Sequence, residues 1–189
     1  MSAPYRAPQA QGLDPEVSFV SGVSSGVEGN STISVQVALS SVATSPVTIP
    51  YAVGGSATAA DATVPGGPLV IPVGGTSGTI NVGVLDDTLS EGRERVILTL
   101  GTPTNGTLGA TTVHEVLILD DEPAATISFD LAASAASEGA GVEALTVTLS
   151  APRTEEARVS FAQTGTATPG GVDVSTSPVS PLVLSLIHI

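Results

Sequence analysis

Residues 80–100, INVGVLDDTLSEGRERVILTL, join two apolar runs through an acidic loop. In the first run every second residue from 80 to 84 is Ile or Val, which places these side chains on one face of a strand. The second run, 96–100, is again apolar and rich in β-branched and leucine side chains. Between them, residues 86–94 hold four carboxylates in nine positions. The segment therefore predicts two strands whose connecting loop gathers negative charge.

The same alternation occurs along much of the chain and predicts an all-β fold. Signals for helices are nearly absent, and glycine and proline are frequent, with 21 and 14 copies. Seven predicted strands in about a hundred residues match the strand number and size of a β-sandwich domain. Their approximate bounds are 17–20, 33–39, 47–53, 69–73, 80–84, 96–100 and 113–119.

Composition excludes several function classes. The five basic residues are all arginines, so a P-loop and a Schiff-base lysine are ruled out. The absence of cysteine removes disulfides, thiolate zinc sites and cysteine nucleophiles. The formal net charge of -13 disfavours nucleic acids and anionic membrane surfaces as partners. Cations are the natural partners of such a chain.

A second acidic cluster, Asp120, Asp121 and Glu122, ends the run 113–119. Carboxylates gathered at two strand ends repel one another, so a cation between them would relieve the repulsion. Hard oxygen ligands with little nitrogen or sulfur nearby favour calcium. The two clusters together therefore predict a calcium site.

An internal repeat at an offset of 110 residues predicts two copies of one domain. We place the first domain at 17–122 and a truncated second copy, its first strands only, at 124–183. The matched pairs are Phe19 with Phe129, Glu28-Gly29 with Glu138-Gly139, Leu39-Ser40 with Leu149-Ser150, Tyr51-Ala52 with Phe161-Ala162, and Ala57-Thr58 with Ala167-Thr168.

The two ends of the chain lack this pattern. Residues 1–16 are rich in Pro, Ala and Gln and predict a disordered linker, without the features of a signal peptide. No apolar run has the roughly 18 residues of a membrane span. Residues 184–189, LSLIHI, read as the translation of a sequencing-adapter end, a scar outside the fold. The alternative is a real edge strand, because Leu182, Leu184 and Leu186 alternate.

The order DDTLSEGRE at 86–94, RVILTL at 95–100, a loop with Gly109, and VLILDDE at 116–122 resembles the Calx-β domain. This family is known from sodium/calcium exchangers, integrins and bacterial tandem-repeat surface proteins. The resemblance implies a seven-stranded Ig-like, Greek-key β-sandwich that binds Ca²⁺ at one tip and has no enzymatic activity. Calcium ions and neighbouring Calx-β repeats are the partners it implies.

The resemblance also implies a ligand set at the tip where the loops converge. Glu122 stands where other members have an aspartate, and exchanger-type members carry a denser acidic string, so fewer ions or weaker affinity are expected here. The implied ligands are Glu28, Asp61, Asp86, Asp87, Glu91, Glu94, Asp120 and Asp121, with the backbone carbonyl of Leu89.

Other interpretations of these acids stay open at this point. The acidic runs can simply solubilise loops. Glu28, Asp61 and Glu94 can instead cap turns or pair with Arg93 or Arg95.

The second copy is expected to hold no complete site, because only Glu138 and Asp173 remain there. His114 lies in an apolar strand and His188 in the tail, which argues against a histidine metal site or catalytic pair. No GxSxG elbow accompanies the serines.

Three functions are compatible with the sequence. The first is a non-enzymatic calcium-binding repeat of an extracellular or cell-surface adhesion protein, with a cell-surface or matrix partner and no nucleic acid or membrane insertion. The second is a metal-free structural or adhesive spacer. The third is a non-catalytic part of a carbohydrate-active enzyme.

Overall fold

The computed structural model describes residues 14–29, 31–137, 141, 143–162, 164 and the backbone of 182–184. Four sequence predictions fall outside the described residues: most of the N-terminal linker, the acids Glu138 and Asp173, His188, and the tail beyond Leu184. Along the described chain, no helix is long and apolar enough to cross a membrane.

The chain folds into two compact units. The first comprises the described residues up to Asp86 together with Arg93–Leu119, and the second comprises Asp87–Gly92 and the chain from Asp120 onward. Both ends of the loop 87–92 continue directly into the first unit.

The first unit contains only strands and loops. A five-stranded sheet has the order β10-β1-β3-β8-β6, a four-stranded sheet has the order β2-β11-β9-β5, and β4 pairs with β7. Its strands are β1 Glu16–Phe19, β2 Val23–Val27, β3 Ser31–Leu39, β4 Val47–Ile49, β5 Tyr51–Gly55, β6 Ala62–Thr63, β7 Leu69–Ile71, β8 Ser77–Val84, β9 Glu94–Leu100, β10 Thr107–Leu108 and β11 Val113–Leu119.

The core lies between the sheets and is made almost entirely of aliphatic side chains. In β3, Val35, Val37 and Leu39 are buried while Ser34 and Gln36 are exposed, as period-two alternation requires. Burying one such side chain contributes about 1.5–3 kcal/mol. The buried core residues of both sheets form one cluster, which confirms the predicted all-β sandwich: Val17, Phe19, Val35, Val37, Leu39, Ala43, Val47, Ile49, Ile71, Ile80, Val82, Val84, Val96, Leu98, Leu100, Val116 and Ile118.

The strand boundaries differ from the sequence prediction at two informative places. The predicted strand 47–53 is divided at Pro50, so that β4 pairs with β7 and β5 pairs with β9. Proline has no N–H to donate to a sheet ladder, which allows the chain to change partners there. The second difference is β2, whose sequence VSSGV has no alternating apolar face and was not predicted as a strand.

The described part of the second unit repeats the pairing of the first. β12 (Ile127–Phe129) pairs with β13 (Val147–Leu149) in the register that β1 and β3 use, since Ile127↔Leu149 corresponds to Val17↔Leu39. A side-chain hydrogen bond is repeated as well. The amide of Thr126 donates to Ser150 Oγ at 2.9 Å, as the amide of Glu16 donates to Ser40 Oγ at 2.9 Å.

The repeat extends to a second strand pair. β14 (Ala157–Val159) pairs with β15 (Leu182–Leu184) as β4 pairs with β7. The sequences agree too, since Pro181-Leu-Val-Leu184 matches Pro68-Leu-Val-Ile71. Leu184, the first residue of the predicted scar, is therefore the last residue of a paired strand.

Candidate metal centre

The strand pairing brings the ends of several acidic segments to one pole of the first unit. β2 runs parallel to β11, and the amide of Glu28, just beyond β2, donates to the carbonyl of Leu119 at 3.0 Å. β9 begins at Glu94, which lies opposite Ile118 near the end of β11. The amide of Leu85, beyond the end of β8, donates to the carbonyl of Asp61 at 2.8 Å.

Asp61 closes a tight turn that starts at Thr58. Its carboxylate accepts a hydrogen bond from the amide of Thr58, while Thr58 Oγ1 accepts one from the amide of Ala60 at 3.1 Å. The amide of Ala62 completes the turn by donating to the carbonyl of Thr58 at 3.1 Å. The bond from the Thr58 amide to the Asp61 carboxylate is the half of a capping box that the acid supplies, whereas Thr58 Oγ1 bonds the amide of Ala60 and not that of Asp61. Asp61 therefore caps this turn, and its role as a metal ligand stays a prediction.

The pKa of Asp61 is lowered from its ordinary value by its hydrogen bonds. Burial opposes this shift, but bonds from Thr58 and Glu94 favour the carboxylate and prevail. Asp61 is 7% exposed, so this is a nearly enclosed anion.

Asp87 and Glu91 meet Asp61 in the first acidic group. One oxygen from each of Asp61, Asp87 and Glu91 lies within 4.8 Å of the others, and we call these three residues the turn group. Asp87 is held in place because its Oδ1 accepts a hydrogen bond from the amide of Leu89 at 2.7 Å. This local bond is an Asx turn, which fixes the carboxylate against its own backbone.

The second acidic group consists of Glu28, Asp121 and Glu122, which we call the strand-end group. One carboxylate oxygen from each lies within 4.8 Å of the others. Glu28 is buried, with 7% of its surface exposed. Asp120 adjoins the group, and its Oδ1 and Glu122 Oε2 are shielded from solvent with no hydrogen-bond donor among the described residues. Ionised carboxylates without donors are costly unless a cation accompanies them.

The pKa of Glu122 is raised from its ordinary value. Desolvation is the largest cause, followed by a hydrogen bond with Asp120 and the negative charges of Asp121 and Asp120. A raised carboxyl pKa means that folding favours the protonated form. In the absence of metal, stability therefore falls as pH rises from the ordinary glutamate pKa through the raised value in the folded protein.

Replacing Glu122 by glutamine should remove this pH-dependent loss. In chelator at neutral pH, we expect Glu122→Gln to melt at a higher temperature than the wild type, and the two to converge at acidic pH. Circular dichroism melts across this pH range measure the effect. The control is Glu16→Gln, an exposed acid on β1 outside both groups, which should not change the pH profile. A lower melting temperature for Glu122→Gln in chelator at neutral pH would contradict this reading.

The structure sorts the predicted ligands without testing whether they bind metal. Five fall into the two groups: Asp61, Asp87 and Glu91 in one, and Glu28 and Asp121 in the other. Two more adjoin them, Glu94 beside Asp61 and Asp120 beside Glu122. Asp86 is exposed and belongs to neither group, and Leu89 contributes its amide to Asp87.

Two residues gained roles that the sequence interpretation did not give them. Glu122, whose role was left open, completes the strand-end group. Thr58 holds Asp61, and the spacing Thr58 to Asp61 was a readable capping signal. Arg95, considered as a partner of the site acids, instead pairs with Glu115 at 3.2 Å.

Both groups fit the requirements of calcium. Calcium binds oxygens at about 2.3–2.6 Å, so two ligands on opposite sides of one ion are separated by at most about 5.2 Å. Each group offers three carboxylates at such spacing, all with oxygen donors and none with nitrogen or sulfur. Because calcium takes 6–8 oxygens, bidentate carboxylates, backbone carbonyls and water would complete each shell.

The first unit is thus an all-β sandwich with carboxylates clustered at one pole. The Calx-β domain family matches residues 14–122 and again 120–180. The chain belongs to the Calx-β domain family and carries two matches to it. This is a family of non-catalytic domains, and no catalytic family was found in the chain.

Solved structures support the fold. The chain is similar to CBD12 from CALX1.2, with a TM-score of 0.53 and 24% identity over 61% of this chain and 48% of that one. It is also similar to the apo-form Calx CBD1 domain, with a TM-score of 0.52 and 23% identity over 57% of this chain and 98% of that one. The calcium binding domain CBD12 of CALX1.1 gives a TM-score of 0.53 and 23% identity over 60% of this chain and 49% of that one.

The chain thus spans about half the length of the two CBD12 structures. No curated protein is significantly similar to it in sequence.

Proposed function

We propose that this chain is a calcium-binding, non-enzymatic Calx-β module of a larger extracellular or cell-surface protein. The observation that carries the proposal is that Asp61, distant in sequence, meets Asp87 and Glu91 of one loop with carboxylate oxygens within 4.8 Å. Three like charges at this spacing repel strongly unless a cation joins them. The description of CBD12 of CALX1.1 as a calcium binding domain, and the shared family, support the choice of ion.

In this proposal calcium acts through linkage. The ion binds the folded arrangement, in which the acids are gathered, and not the unfolded chain, in which they are dispersed. Bound calcium would stiffen the loop 87–92 by holding Asp87 and Glu91 to the Thr58–Asp61 turn. The chain itself orients two of these carboxylates without calcium. The Thr58 amide holds Asp61, and the Asx turn to the Leu89 amide holds Asp87.

The strand-end group extends the proposal to the boundary between repeats. Asp120, Asp121 and Glu122 belong to both family matches, which overlap at 120–122. Calcium bound there would restrain the chain where one copy ends and the next begins. We therefore propose that calcium stiffens a tandem array of such modules, a role that suits an adhesive surface protein with a cell-surface or matrix partner.

Thermal unfolding of the full chain with and without calcium tests the proposal. At free calcium 100 times the Kd, stabilisation by one ion is about 2.7 kcal/mol. For a domain of this size we expect the melting temperature in calcium to exceed that in chelator by on the order of 10 °C. Circular dichroism is the appropriate probe because the chain has no tryptophan.

Magnesium at the same concentration is the control, since it prefers a smaller octahedral shell and retains its water. It should give much less stabilisation than calcium. Equal melting temperatures in millimolar calcium and in chelator would contradict the proposal.

A metal-free spacer is the second candidate, and the local hydrogen bonds favour it in one respect. Asp61 and Asp87 already serve their own turns, so part of the acidic pattern has a structural use without an ion. This candidate accounts less well for the convergence of Glu28, Asp121 and Glu122, which need not meet in order to cap turns. It predicts no response to calcium in the melt.

A further inference from the structure

β2 is a weakly anchored edge strand that leads directly into Glu28. It pairs only with β11, at the edge of the four-stranded sheet. Its two half-buried positions are Ser24 and Gly26, while Val23, Ser25 and Val27 are exposed. The strand therefore contributes no large apolar side chain to the core, and hydrophobic burial does not fix its position.

His114 on β11 forms side-chain hydrogen bonds to the start of this strand. The ring is 3% exposed and packs against Phe19, with ring centroids 5.5 Å apart. Its Nδ1 lies 2.6 Å from the carbonyl oxygen of Ser21, and its Nε2 lies 2.8 Å from Ser24 Oγ. Because a carbonyl can only accept, Nδ1 carries a proton and donates to Ser21, while Nε2 and the Ser24 hydroxyl form the second hydrogen bond.

The two hydrogen bonds hold the beginning of β2 to β11 from inside the sandwich. The parallel register continues from Val23↔Glu115 to Val27↔Leu119, and Glu28 follows at once. From Ser24 to Glu28 the strand covers about 13 Å, so an anchored start sets where its end arrives. A buried histidine with both ring nitrogens satisfied is a rigid anchor, and its loss would leave buried polar groups unpaired.

We propose that His114 is a positioning residue for the strand-end group, holding β2 in register so that Glu28 reaches Asp121 and Glu122. This inference rests on the proposed calcium function for its effect on affinity. The anchoring itself is a property of the first unit alone. His114 contacts no ion in this scheme and acts through Ser21 and Ser24.

Calcium titrations of four full-length proteins test whether His114 acts through Glu28. These are the wild type, His114→Phe, Glu28→Gln and the double variant. His114→Phe should raise the calcium Kd roughly fivefold, the change that corresponds to one neutral hydrogen bond of average strength. In the Glu28→Gln background the same change should have no further effect on Kd, because the positioned carboxylate is already gone.

Two further variants separate positioning from general destabilisation. Val37→Ala removes buried methyl groups from β3 and should lower the melting temperature while leaving Kd unchanged. Ser24→Ala removes one of the two bonds with little risk to the fold, and should raise Kd in the same direction as His114→Phe. Ser24→Thr keeps the hydroxyl and should restore binding. Additive effects of His114→Phe and Glu28→Gln on Kd would overturn the proposal.

Amide hydrogen exchange in chelator examines the anchor without calcium. His114→Phe should reduce the protection of residues 24–28 at least fivefold more than that of β3 and β8, whose positions are fixed by buried apolar side chains. Unchanged relative protection of 24–28 would overturn the anchoring. If the wild type binds no calcium but residues 24–28 still lose protection in His114→Phe, the proposed function is wrong and the anchoring of β2 by His114 is supported.

Discussion

Replacing Gly55 by alanine should destabilise the first unit by about 4 kcal/mol, the largest effect expected from any single added methyl group here. Gly55 has φ +118°, a conformation that L side chains rarely adopt. A Cβ at this position would lie 2.0 Å from the carbonyl oxygen of Arg95 and 2.9 Å from its carbonyl carbon. Both are backbone atoms of β9, a central strand, so the neighbour cannot move aside.

The effect of Gly55→Ala should reach the turn group as well. Just beyond Gly55, Ser56 Oγ accepts from the amide of Arg95 at 3.1 Å, and the amide of Ala57 donates to the carbonyl of Arg95 at 3.0 Å. These bonds dock the segment that becomes the Thr58–Asp61 turn. Denaturant unfolding followed by circular dichroism measures the loss of stability.

The neighbouring residue offers a matched control for Gly55. Gly54→Ala adds the same methyl group where nothing lies within 4 Å, and it should change the free energy of unfolding by no more than about 0.5 kcal/mol. Equal effects at Gly54 and Gly55 would contradict the argument from close backbone approach.

The sequence predicted the strands that bury a regular apolar face, and it missed β2, which has none. β3, β8, β9 and β11 show clear period-two patterns because one face of each packs into the core. β2 has Ser24 and Gly26 on its half-buried face, so nothing in its hydrophobic pattern marks it as a strand. Its place is fixed by backbone pairing and by His114, which are contacts distant in sequence.

The internal repeat was predictable from the sequence because local features, the turns and the apolar alternation, set the register in which neighbouring strands pair. The offset of 110 residues that relates Phe19 to Phe129 also relates the strand pairs and the Ser40 and Ser150 hydrogen bonds. β15 departs from that offset, since Leu184 takes the place that Ile71 has in the first unit. A small insertion between paired strands shifts such a match without changing the pairing.

The acids could be recognised as candidates from the sequence, but their division into two groups could not. Glu28 joins Asp121 because β2 pairs with β11 in parallel, and neither strand's partner is readable from local pattern. Adjacent acids are separated as well, since Asp87 is half-buried in the turn group whereas Asp86 is exposed. The count of carboxylates was thus a sequence property, and their grouping is a property of topology.

Removing two of the three carboxylates of the turn group should abolish most of the stabilisation that calcium gives through this group. In Asp87→Asn with Glu91→Gln we expect the Kd of this group to rise on the order of 100-fold, because neutral amides are much poorer calcium ligands. At calcium 100 times the wild-type Kd, the stabilisation due to this group then falls from about 2.7 to about 0.4 kcal/mol. Calorimetric titration should show one binding step weakened and the step assigned to the strand-end group retained.

The sign of the change without metal distinguishes a calcium site from a structural acid cluster. In chelator the double variant should be at least as stable as the wild type, because it relieves repulsion among Asp61, Asp87 and Glu91. Asp130→Asn with Glu143→Gln removes the same charge from exposed positions and controls for net charge. If calcium stabilised the turn-group variant as much as the wild type, the turn group would not be the binding site. If the control variant lost the stabilisation by calcium equally, net charge and not the turn group would attract the ion.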